Sequence, residues 1–151
     1  MPPFNASSWK QLAKKLVPGV KCGRPATEDR ITKAEQTLGI SLPETLRELL
    51  LEADGITDEY GSHAIWPIAE IERQNKQFRT NEAFCDLYMP FDHLLLFGSD
   101  AGCDHFAFAI HADGKIHKND VYRWHHENDA RSWFAPRLEQ FLEKRLKSED
   151  D

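Results

Sequence analysis

The chain has 151 residues, 40% hydrophobic and 29% charged, with a net charge of −6. That length supports one domain with its own core, and the acidic balance disfavours a nucleic-acid binder, which needs a basic face. No apolar run approaches the roughly 20 residues of a membrane helix, and the scattered cysteines Cys22, Cys85 and Cys103 point to free thiols in a reducing compartment.

The opening MPPFNASSWKQLAKKL has lysines behind its apolar residues and no signal core, so a cytoplasmic protein is expected. Ser8 predicts the cap of a first helix, with Trp9, Leu12, Ala13 and Leu16 on one face and Pro18-Gly19 at its end. Residues 18–26 read as a connector. Thr27 caps a second helix, where Ile31, Ala34 and Leu38 fall at helical spacing and Gly39 marks the stop. Ser41-Leu42-Pro43-Glu44 predicts a restart: serine at the cap, proline in the first turn, glutamate bonding back. Leu46, Leu49, Leu50 and Ala53 form the buried stripe, and Gly55 ends it.

Asp58-Glu59-Tyr60-Gly61-Ser62 is a polar turn, and Ala64-Ile65-Trp66 a short strand. Pro67 opens another helix, with Ile68, Ile71 and Phe78 inward. Residues 80–90 read either as its extension or as a packed loop. Leu94-Leu95-Leu96-Phe97 suits a central strand ending at Gly98. After the turn Ser99–Asp104, Phe106, Phe108 and Ile110 alternate with Ala107 and Ala109, so large side chains face one way. Asp113-Gly114 predicts a hairpin leading into Lys115-Ile116-His117, and Val121–Trp124 a further strand. A terminal helix is expected to carry Phe134, Leu138, Phe141 and Leu142, with Pro136 in its first turn. Glu149, Asp150 and Asp151 form an acidic tail. Helices first, strands grouped after and a closing helix predict an α+β fold: an antiparallel-rich mixed sheet packed by helices.

Three motifs in this order carry a resemblance. Glu35, Leu38, Gly39, Leu42, Pro43, Leu46, Leu50 and Gly55 make a Glu-x-x-Leu-Gly helix end, a Leu-Pro restart and a Leu-rich helix. Leu96, Phe97, Gly98, Asp100, Gly102, Asp104 and Phe106 make a strand, a Gly/Asp turn and a second strand. Val121, Tyr122, Trp124, Phe134, Leu138, Phe141 and Leu142 make an aromatic strand and a helix. Together they resemble the SUKH superfamily, the domain of the fungal Smi–Knr cell-wall regulators and of many bacterial immunity proteins. The resemblance divides the chain into an N-terminal helix and connector (1–26), a single SUKH-like domain (27–146) and the tail (147–151). Ala101 and Cys103 interrupt the consecutive glycines common in the family's turn, and residues 76–93 are a local elaboration. The resemblance implies a binding protein without catalytic residues or cofactor. The immunity members bind and block a toxin, often a nuclease; the Smi–Knr type implies a regulatory scaffold instead.

The chemistry-bearing residues read mainly as structural. Cys103 is a small turn residue, since two neighbouring aspartates raise a thiol pKa rather than activate it. His93, His105, His111, His117, His125 and His126 lack the spacings of a zinc site. His125-His126-Glu127-Asn128 has no second histidine on a following helix, so a nuclease reading fails. Asp100 and Asp104 read as turn residues. Trp66, Tyr122, Trp124 and Trp133 line the core, any exposed tryptophan being a good interface anchor. The acidic residues give the functional expectation. Glu48, Glu52, Asp54, Asp58 and Glu59 follow one another on the third helix and its turn, and Asp100, Asp104, Asp113 and Asp120 sit in strand turns. Meeting on one edge, they would steer and cover a basic toxin. The expected partner is thus a cognate, basic protein toxin, with neither nucleic acid nor membrane involved.

Overall fold

A computed structural model describes residues 8–147; the tail residues Glu149, Asp150 and Asp151 lie outside the described residues. The elements run α1 (Trp9–Leu16), β1 (Lys21–Cys22), α2 (Glu28–Leu38), α3 (Glu44–Glu52), β2 (Ile56–Thr57), β3 (His63–Ile65), α4 (Ile68–Thr80), α5 (Glu82–Leu87), β4 (Leu94–Ser99), β5 (His105–Ala109), β6 (Val121–Trp124), β7 (Arg131–Ala135) and α6 (Leu138–Lys147). The strands form two antiparallel sheets, β1-β2-β3 and β4-β5-β6-β7. The fold is α+β, with helices packed on sheets.

Local chemistry explains most boundaries. Ser8 and Thr27 accept from the Gln11 and Arg30 amides and cap α1 and α2. Gly39 ends α2 in the left-handed conformation, φ 71°. The cap at Ser41 is not formed. α3 starts after Pro43, which offers no side-chain cap. Instead Glu35 reaches across from α2, accepts from the Leu42 amide at 2.8 Å and pairs with Arg47 at 3.1 Å. This carboxylate caps no amide of α3's first turn; it holds the linker before the helix and, through Arg47, ties the two helices together. The far end of α3 is at Glu52, and Gly55 lies in the turn beyond, at φ 104°.

The two sheets meet edge to edge. The Trp66 amide donates to the Phe97 carbonyl at 2.8 Å, and a Cβ built on Gly98 would fall 1.9 Å from the Ala64 carbonyl oxygen. Only glycine permits that approach. β4, flanked this way by β3 and by β5, is the central strand its apolar run predicts, and Leu94–Gly98 are buried.

Alternation along β5 sorts the core. Phe106 and Phe108 face α6, where rings of Phe106 and Phe97 lie 4.9 and 5.1 Å from Phe141. Phe97 and Phe108 stack at 4.7 Å. Full burial of such side chains stabilises by about 1.5–3 kcal/mol each. His105 points to the opposite face, among Trp66, Phe78 and Trp124. α1 closes the assembly against α3 and α6.

Three expectations are corrected. Phe134 belongs to β7, not to the last helix, and Pro136 precedes that helix. β7 reads Arg-Ser-Trp-Phe-Ala, with only Ala135 fully buried, so an edge strand carries little periodicity to recognise. Asp113-Gly114 does turn the chain, Gly114 taking φ 82°, but Lys115–His117 form no strand; β5 pairs with β6 beyond this loop. The connector 18–26 contains β1, too short for a pattern.

Candidate functional site

The β2–β3 turn is built around one carboxylate. Oδ1 of Asp58 accepts from the amides of Tyr60 and Ser62, both at 2.9 Å, and Gly61 supplies the left-handed φ of 92°. Oδ2 of Asp58 accepts from Nη1 of Arg145 at 3.0 Å. Arg145, on α6, also donates to the Ser99 carbonyl and to the Ser62 hydroxyl. Burial alone would raise the Asp58 pKa, but the Ser62 amide, Arg145 and the Tyr60 amide together bring it below the usual aspartate value. The result is a rigid tip from which Glu59 and Tyr60 project; Tyr60 is 86% exposed.

A second turn faces it. Asp100 Oδ1 accepts from the Gly102 and Asp104 amides, and Cys103 adopts the left-handed conformation at φ 77°. Arg123 on β6 holds both carboxylates: Nη2 to Asp100 at 2.7 Å and Nε to Asp104 at 3.0 Å. Asp104 also meets the Nδ1 of His126 at 2.6 Å. Its burial would raise its pKa, yet His126 and Arg123 lower it. Between the two turns lies a hollow of about 560 Å³, lined by Asp58, Tyr60, Asp100, Arg123, Phe134 and Lys144 among others. Lys144 lies over the Trp133 ring at 5.8 Å, which places Trp133, 53% exposed, beside the same rim.

The acidic residues expected to bind a partner are thus only partly brought together. Asp58, Glu59 and Asp100 line the hollow, and Asp104 stands behind it. The others are spread. Glu52 accepts from the Ser8 hydroxyl and the Lys10 amide, serving α1. Asp54 accepts from the Ile68 amide at 2.7 Å and supplies the start of α4 with the cap that Pro67 cannot give. Asp113 pairs with His117, and Asp120 accepts from the Trp133 indole at 2.7 Å. Glu48 and Glu59 are exposed and hold no hydrogen bond among the described residues. Most of the carboxylates are therefore satisfied within the fold. The surface they frame is mixed in charge, and its outstanding feature is the exposed Glu59-Tyr60 tip.

The tryptophans separate in the same way. Trp66 and Trp124 are buried, while Trp133 stands at the surface. The chain pattern gave Tyr60 no distinction, because an aromatic in a polar turn has no periodicity; the Asp-x-x-Gly-Ser run around it is the one available signal. Among the described residues no three of His, Cys, Asp and Glu are grouped to hold a metal ion, and no helix is long and apolar enough to cross a membrane.

A family model described as the SMI1 / KNR4 family (SUKH-1) matches residues 25–144. No curated protein matches the chain.

Proposed function

The chain belongs to the SMI1 / KNR4 (SUKH-1) family, and from that premise we propose that it is a non-catalytic cytoplasmic immunity protein. It binds a cognate toxin and covers the toxin's active site or substrate groove. The observation that carries this reading is the Tyr60 tip. The turn that presents this exposed aromatic is already locked by Asp58 and Arg145, so its backbone loses little freedom on binding. Large aromatics on such supports are common interface hot spots. Trp133, exposed beside Lys144, gives a second anchor. The exposed carboxylates Glu59 and Glu48 supply the negative groups that hasten encounter with a basic partner, the anchors supplying most of the affinity.

The test is capture of partners by the tagged protein from lysate of its own source organism, at low and at moderate salt, identified by mass spectrometry. The captured toxin is then assayed alone and with the protein. A one-to-one complex that abolishes toxin activity and weakens with salt is the expected result. Tyr60→Ala is expected to weaken it by about 30-fold or more, a hot-spot loss of about 2 kcal/mol. Unchanged affinity would remove Tyr60 as an anchor. A complex with wall-synthesis or signalling enzymes that leaves their activity intact would replace the immunity reading with a regulatory scaffold.

A further inference from the structure

We propose a second docking surface, formed by α5 and the residues after it, that takes a basic amphipathic segment of another protein. It shares with the reading above only that the chain binds protein, and it uses different residues.

The segment from Glu82 to Asp92 is pinned from below. Phe84 and Tyr88 turn inward, with Phe84 4.6 Å from Phe78 and Tyr88 5.0 Å from Trp124, ring centre to ring centre. The Met89 amide donates to Asp129 at 2.9 Å. Arg131 donates to the carbonyls of Met89 and Pro90 at 2.8 and 2.9 Å and lies 4.6 Å over the Phe91 ring. On this fixed base Leu87 and Met89 are nevertheless 70% and 61% exposed.

The charged residues of this segment itself are of one sign. No Lys or Arg occurs between Arg79 and Lys115, whereas Glu82, Asp86 and Asp92 are all exposed. Glu82 and Asp86 are one helical turn apart and share a face. The guanidiniums nearby are committed inward: Arg79 to the Leu38 and Leu94 carbonyls, Arg131 to Asp129 and the carbonyls above. An exposed apolar pair flanked by carboxylates complements a segment with apolar side chains on one face and Lys or Arg beside them. A second copy of this chain would set the same acidic rim against itself, which costs rather than contributes.

The probe is a labelled synthetic leucine–lysine peptide with helical apolar periodicity, with a leucine–glutamate counterpart and a lysine-matched scrambled peptide as controls. Binding is read by fluorescence anisotropy, and the site by amide chemical shifts of the protein. The expected result is binding of the leucine–lysine peptide alone, with shifts centred on residues 82–93. The double variant Leu87→Ser/Met89→Ser should weaken it by about tenfold or more, and Glu82→Lys/Asp86→Lys by a similar factor. All four positions are exposed, so the fold is retained, and circular dichroism checks this. Tyr60→Ala should leave peptide binding unchanged, which keeps failure here distinct from failure of the Tyr60 surface. Equal binding of the control peptides, shifts centred elsewhere, full affinity in both double variants, or no binding would each overturn the proposal.

Discussion

His105 sits with its ring centre 5.1, 5.3 and 5.4 Å from those of Trp66, Phe78 and Trp124, and its Nδ1 is buried without a partner among the described residues. Burial lowers its pKa, more than the Asp104 contact and the Asp100 charge raise it. Its folded value thus lies below the unfolded value of about 6.5. The unfolded chain binds the proton first, so this group's contribution is complete above that pH and lost as pH falls through the folded value. Stability should decline between about pH 7 and 5. His105→Phe, which suits the aromatic surroundings and cannot be protonated, should reduce that slope in urea unfolding followed across the same range. It should not abolish it, because burial and Arg131 lower the His93 pKa too. That His105 would face away from Cys103 follows from strand alternation; what it faces does not, because Trp66 and Phe78 come from distant parts of the chain.

At the scale of elements, α4 holds a residue that periodicity passed over. Ile68, Ile71 and Phe78 give the inward stripe, and the buried Asn75 lies on the same face. Its Oδ1 accepts from the Leu96 amide at 2.8 Å, and its Nδ2 donates to the carbonyls of Leu96 and Ile71 at 2.8 and 2.7 Å. One side chain thereby stands in for a neighbouring strand beside β4. Asn75→Leu would leave the Leu96 amide and carbonyl buried and unpaired, at a cost of about 2–4 kcal/mol, measured by chemical denaturation. A shift within about 0.5 kcal/mol would mean that water reaches the strand. The residue is visible in the sequence as a polar break in an apolar stripe, but its task depends on β4 lying against it. The same limit applies to α3. Its leucine stripe was legible, whereas the hold that Glu35 on another helix takes on Leu42 and Arg47 was not, because no local motif points there.

At the scale of the molecule, Arg145 is the joint. From α6 it binds the β2–β3 turn through Asp58 and Ser62, and the end of β4 through the Ser99 carbonyl. Both members of the Asp58–Arg145 pair are nearly buried, at 9% and 8% side-chain exposure. Arg145→Met should cost about 3–5 kcal/mol, because Asp58 is left charged and enclosed. Asp58 has a depressed pKa, so the stability it adds is present above the ordinary aspartate value of about 4 and fades as pH falls below it. The gap between wild type and variant in thermal or urea unfolding should therefore narrow in acid. A gap independent of pH would show that packing of the arginine stem, and not its charge, carries the effect.

The sequence by itself determined the α+β class, most helices with their caps at Ser8, Thr27 and Gly39, the central strand and the family resemblance. Each of these is written in neighbouring residues, through side-chain periodicity, capping chemistry and turn preference. The tertiary structure alone decided which acidic residues stand free. Asp54 and Asp58 read with one negative group along the chain and Asp104 and Asp120 with another, yet each is taken up by a partner brought close through folding. A carboxylate's availability depends on what lies within hydrogen-bonding distance, and local pattern does not encode that distance between segments remote in sequence. The exposure of Tyr60, and of the Leu87–Met89 pair, was decided in the same way.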